Sequence, residues 1–165
     1  MQKISQKYLE FFKNTTAADK AKSLFCEGYN CSQSVFLTFA EMMGMDKRTA
    51  LMISSSFGGG MGRMREVCGA VSGMFMAAGL IYGYDSPVDN TSKAEHYKLI
   101  QELAEKFKQK NDMHTIICRE LLGLDDKKET HVPEARTPAY YQKRPCADLV
   151  YDAAQILSEY ILSEK

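Results

Sequence analysis

Apolar residues in this chain return at intervals of three and four in one segment after another. No segment sustains the alternation of apolar and polar positions that a half-buried strand requires. That periodicity restricts the fold to helices packed on helices. Thr15 or Thr16 can cap a helix running to about Glu27, with Gly28 as its stop. Asn30 caps a second helix, in which Cys31, Val35, Phe36, Phe39, Ala40 and Met43 form one stripe that ends at Gly44. Asp46 opens a third, through Leu51 and Met52, which dissolves in SSSFGGGMG, residues 54 to 62. The most apolar stretch follows. It predicts a buried central helix over residues 63–83, with Met64, Val67, Cys68, Val71, Met74, Phe75, Ala78 and Ile81 on one face.

The turn formers DSPVDNTS, residues 85 to 92, precede a long helix with Ala94, Tyr97, Ile100, Leu103, Ala104 and Phe107 inward and a solvated, lysine-rich outer face. HTIICRELLG forms a short helix in which Ile117, Cys118, Leu121 and Leu122 cluster before Gly123. A polar, proline-punctuated connection over residues 125 to 145 is long for a compact fold, which predicts that it wraps the surface or covers a site. Pro145 then opens a last helix with Cys146, Leu149, Val150, Ala153, Leu157, Tyr160 and Ile161 on one face. The fold class is all-α: one domain over residues 1–165, a bundle of about six to seven helices around the central one.

With 165 residues, 45% of them hydrophobic, the chain can bury a core but not two. Basic and acidic residues balance at 21 each, so no overall field draws it to nucleic acid or an acidic membrane. A small or neutral partner fits better. The run from Val67 to Tyr82 falls short of a membrane span, and the charged, discontinuous amino terminus lacks the core of a secretory signal. A cytoplasmic chain is expected. Its five cysteines would then be reduced, which weights them toward metal binding or thiol chemistry rather than structural disulfides.

Cys31, Cys68, Cys118 and Cys146 each fall on the apolar stripe of a different predicted helix. The close C-x₂-C pairs of zinc fingers and ferredoxins are absent. Two readings stand side by side: four small hydrophobes in a core, or four helices delivering one sulfur each to a shared point. Cys31 after Asn30 and Cys146 after Pro145 sit at helix starts, where unpaired N–H groups favour a thiolate. Gly69 and Gly73 beside Cys68 remove bulk from a helix, for tight packing or for the close approach of a centre.

The ordered set NCSQSV (30–35), GGGMGRM (58–64), CGAVSG (68–73), CRELLG (118–123) and CADLV (146–150) resembles the bacterial and archaeal four-cysteine family named for its signature C_GCAxxG_C_C. The resemblance covers about residues 20 to 160. It implies a redox role. A related domain in a haem protein of sulfate reducers carries an iron–sulfur cluster, so the resemblance favours such a cluster on the four cysteines, with zinc or no metal as alternatives. Gly60, Gly62, Arg63, Gly69 and Gly73 are the candidate residues around that centre.

FGGGMGRM is not a phosphate loop: no strand precedes it, and it lacks the Gly-Lys-Ser/Thr ending. It reads instead as a hinge or a backbone wall near the sulfurs, with Arg63 or Arg65 compensating thiolate charge. His114, four residues before Cys118, is a candidate ligand or proton carrier if a helix places both on one face. Cys26 lies on a more polar face, as a bystander or a resolving thiol. Three functions follow: a metal-centred electron-transfer protein or oxidoreductase, a metal-free thiol–disulfide oxidoreductase, or a helical binding module using the ten methionines as an adaptable surface. The partner is a redox partner or a small molecule, and the small-residue run GAVSG permits a homo-oligomer.

Overall fold

A computed structural model describes residues 16–125 and 129–164; Thr15 and the rest of residues 1–15 lie outside it. The fold is all-α. Helix α1 (Ala17–Cys26) starts where the Thr16 side chain accepts from the Asp19 amide at 3.1 Å. Helix α2 (Cys31–Ala40) begins in a full capping box: Asn30 accepts from the Gln33 amide at 2.8 Å, and Gln33 accepts from the Asn30 amide at 3.1 Å. Helix α3 (Lys47–Ser54) has Asp46 as its cap, and α4 (Gly69–Tyr82) is the buried centre. Helix α5 (Asn90–Lys110), the single turn α6 (Cys118–Leu121), the short α7 (Pro138–Lys143) and α8 (Cys146–Ser163) complete the order.

Helix α4 packs on α2 through two glycines spaced by four, Gly69 and Gly73. A Cβ on Gly73 would stand 2.7 Å from the Ser32 carbonyl oxygen, so this crossing brings the backbones closer than any side chain allows. Helix α8 lies along α1 and also touches α2, α4 and α5. Phe25, Phe39, Met74, Phe107 and Leu157 fill the space between them.

The structure corrects the sequence at three places. The central helix begins at Gly69, not at residue 63. Gly59, Gly60, Met61, Gly62 and Arg63 are five consecutive residues with φ between 61° and 69°, a left-handed turn that no right-handed helix can continue through. Met64 is consequently exposed rather than inward-facing. In α5 the inward residues are Leu99, Leu103 and Phe107, while Ala94 and Tyr97 are exposed because the first two turns carry no buried side chain. The 125–145 connection contains α7, started by Thr137 with Pro138 at the first helical position. No helix among the described residues is long and apolar enough to cross a membrane.

Candidate functional site

Cys68 and Cys118 are set by a piece of extended chain. Residues Val67 and Ile117 form an antiparallel bridge. Across it the Cys68 amide donates to the Ile116 carbonyl at 2.8 Å, and the Cys118 amide donates to the Glu66 carbonyl at 2.7 Å. Cys68 is therefore the N-cap of α4, with φ −51° and ψ 132°, and Cys118 is the first residue of α6. Cys31 and Cys146 are the first residues of α2 and α8. All four cysteines stand at helix starts, and the positive ends of three long helices, α2, α4 and α8, turn toward the sulfurs.

Cys31, Cys68, Cys118 and Cys146 line one small cavity of about 20 Å³ together with Leu121, Leu122 and Leu149. That is space for about one water-sized sphere. Cys68 and Cys118 are buried, Cys31 and Cys146 half-buried, and all are free thiols. Every pairing among the four is close enough for one thiolate to raise the pKa of the other. Burial pushes Cys68 well above the ordinary thiol range, with Cys31, Cys118 and Cys146 adding to the effect. Burial, then Cys31 and Cys118, pushes Cys146 up to about 12. Cys118 is raised by burial more than its hydrogen bond from Arg65 lowers it.

The sequence-derived neighbours divide. A Cβ on Gly69 would overlap the Cys31 Sγ, and one on Gly60 would lie 2.6 Å from the Cys118 Cβ, so these two glycines are the backbone against which the Cys31 and Cys118 side chains pack. Gly73 serves the α2–α4 crossing one turn away. Gly62 is exposed and has only the Ser56 carbonyl near its missing side chain, at 3.8 Å. Arg63 turns from the sulfurs, donating to the Thr130 carbonyl at 2.9 Å and to Glu129 at 3.1 Å. Arg65 is the arginine that reaches them: its Nη1 lies 3.8 Å from the Cys118 Sγ while its Nε donates to Glu129 at 2.7 Å. His114 is on no helix shared with Cys118. It is exposed, has φ 52°, and its Nδ1 lies 3.2 Å from the Lys108 carbonyl; the left-handed backbone there and the non-helical residues 115–117 that lead into the bridge separate it from α6. Cys26 is exposed and lines no part of the cavity.

The 125–145 connection, expected to wrap the surface or cover a site, does reach the site arginines, but sequence reasoning named none of its residues. Glu129 receives both Arg63 and Arg65; burial works against its charge, but the Arg65 hydrogen bond and the surrounding arginines hold its carboxyl below the usual range. Arg144 pairs with Glu134 and lowers the Cys118 and Cys146 thiols, and Tyr140 is raised by burial and by Cys146. The signal was local: arginine and tyrosine crowd the stretch RTPAYYQKRPC just before Cys146.

A family model described as "Putative redox-active protein (C_GCAxxG_C_C)" matches residues 29–160, well over half of the chain. The chain belongs to the C_GCAxxG_C_C family. All four cavity cysteines lie inside the matched residues and Cys26 lies outside them, so the C_GCAxxG_C_C signature and the sulfur cavity select the same side chains. No curated protein and no solved structure matches the chain. The donor chemistry of the C_GCAxxG_C_C cavity fits a thiophilic metal: four sulfurs and no competing oxygen ligand line it. Among the described residues no group of three cysteine, histidine or acidic side chains stands ready to hold a metal ion.

Proposed function

We propose that the four cysteines form one redox centre that holds an iron–sulfur cluster as thiolates, and that the protein passes electrons through it. The observation that carries this reading is the convergence of all four thiols, each within electrostatic reach of the other three, on a cavity with helix N-termini behind it. As neutral thiols they are stable there. As thiolates without a cation they would repel one another in an apolar hole, so ionisation requires a bound cation. An iron–sulfur cluster would supply one-electron uptake and release and would require the cavity to widen beyond its 20 Å³, whereas a single zinc ion on the same ligands would make the site structural.

The chain's own residues would do the rest. Cys31, Cys68, Cys118 and Cys146 would supply the ligands, Gly60 and Gly69 the clearance, and Arg65 a positive charge against Cys118. A metal-free thiol–disulfide cycle is less well supported, because burial raises Cys68, Cys118 and Cys146 and a protonated thiol attacks slowly.

The test is anaerobic reconstitution with iron and sulfide, followed by metal analysis, visible absorption and electron paramagnetic resonance, on the native chain and on five single Cys→Ser variants. Cys31, Cys68, Cys118 and Cys146 variants should each lose metal and thermal stability together, and Cys26→Ser should lose neither. A native chain that takes up neither iron nor zinc ends the metal reading. A Cys26→Ser variant as impaired as the others ends the ligand assignment.

A further inference from the structure

Beside the sulfur cavity is a second one, of about 190 Å³, whose lining includes Arg63, Arg65, Arg136, Arg144, Tyr140 and Glu134. Four guanidinium groups around one small space repel each other unless something negative compensates them. Among the described residues two carboxylates pair with them. Glu129 takes both Arg63 and Arg65, and Glu134 takes Arg144. Two positive charges remain in excess. Arg136 has no carboxylate within ion-pairing distance among the described residues. It donates to the Phe25 and Tyr29 carbonyls at 3.4 and 3.3 Å and lies 4.2 Å over the Phe25 ring, contacts that fix its plane and leave its charge unneutralised.

The chain invests in this placement. Arg63 and Arg65 both hold left-handed backbone, with φ 69° and 62°, a conformation side-chain-bearing residues seldom adopt. Arg65 is also almost fully buried, 6% exposed. The cavity adjoins the sulfurs through the same residues: Arg65 contacts the Cys118 Sγ, Asn30 in its lining precedes Cys31, and only Pro145 separates Arg144 from Cys146.

We propose that this arginine-lined cavity binds a small polyatomic anion, of the carboxylate, phosphate or sulfate class, next to the four cysteines. Planar guanidinium forks match the paired oxygens of such anions, and the space holds several waters, hence an anion of a few heavy atoms and not a nucleotide. This binding does not rest on the function proposed above.

The experiment is calorimetric titration of the reduced full-length chain with phosphate, sulfate and oxalate at low ionic strength, with and without anaerobic metal loading, followed by arginine Nε–Hε nuclear magnetic resonance. At least one anion should bind with a dissociation constant of about a millimolar or below, shifting arginine resonances. Arg136→Gln and Arg144→Gln should each weaken it at least about fivefold, and Lys106→Gln, which removes a charge beside Tyr160 near the far end of α8, should not. Glu134→Gln removes the internal competitor and should tighten binding severalfold, a sign that damage to the fold does not produce. The proposal is overturned if none of the three anions binds by 20 mM, or if binding is indifferent to Arg136, Arg144 and Glu134 alike. Anion binding by a chain that takes up no metal ends the metal reading and leaves this site standing; metal uptake without anion binding does the reverse.

Discussion

Replacing Gly69 and Gly79 by alanine should move stability in opposite directions, although both lie in α4 and both changes are chemically the same. Neither glycine has positive φ, so alanine is compatible with both backbones. Nothing lies within 4 Å of a Cβ at Gly79. There the substitution only removes the freedom of glycine in the unfolded chain and improves helix propensity, which stabilises by about 0.4–1 kcal/mol. At Gly69 the same methyl overlaps the Cys31 Sγ and comes 2.8 Å from the Phe57 carbonyl oxygen. The sulfur can rotate, but the carbonyl is backbone of the turn that leads into the glycine run. Overpacking of this kind costs about 1–3 kcal/mol, more than the propensity gain, so Gly69→Ala should be destabilised on balance by about 1–2 kcal/mol. For a chain of this size each kcal/mol moves the melting midpoint by roughly 2–4 °C, so the two variants should melt on either side of the native protein and several degrees apart. Thermal melts of the reduced, metal-free chains measure this directly. Because the displaced atom is the Cys31 sulfur, Gly69→Ala should also lower metal uptake on reconstitution, while Gly79→Ala should leave it unchanged. Equal melting points and equal uptake would refute the close approach of Gly69 to Cys31 and leave both glycines as helix-packing residues.

Two further outcomes follow from the ionisable groups. Burial raises the folded-state pKa of Cys68, Cys118 and Cys146, the last to about 12, above the unfolded value of about 8.5. Their contribution to stability is complete below that unfolded value and is lost as pH rises toward the folded one. Urea midpoints of the reduced metal-free chain should therefore fall above about pH 8.5, and Cys146→Ser should flatten the fall; a midpoint constant to pH 10.5 would contradict the buried thiols. Glu129→Gln leaves the buried Arg65 without its carboxylate and should cost about 1–3 kcal/mol at neutral pH, less than a fully buried pair because Glu129 is 20% exposed. The Glu129 carboxyl is held low, so its stabilisation is present above about pH 4.3 and lost as pH falls through the folded value; the variant's urea midpoint should converge on that of the native chain in acid.

The helical class and most helix starts were legible because they are local. Thr16, Asn30 and Asp46 cap their own helices through bonds three residues long, and the three- and four-residue spacing of Val35, Phe36 and Phe39 follows from the pitch of one helix. The four cysteines were legible as a set from their stripes and from the family signature. Their shared cavity was not, since it depends on where α2, α4, α6 and α8 begin in space. The start of the central helix was misplaced because left-handed backbone at Met61, Arg63 and Arg65 contradicts their side chains' preferences and is imposed by contacts far along the chain: Glu129 holding both arginines, and residues 116–118 pairing with residues 66–68. For the same reason His114 lost its place beside Cys118, and Arg136 and Arg144 gained one near Cys146. The sequence by itself determined which residues are apolar, which turns cap helices and which sulfurs belong together. Only the tertiary structure decided what surrounds those sulfurs, because a bridge of a few residues and a carboxylate 64 positions from its arginine leave no periodic trace in the chain.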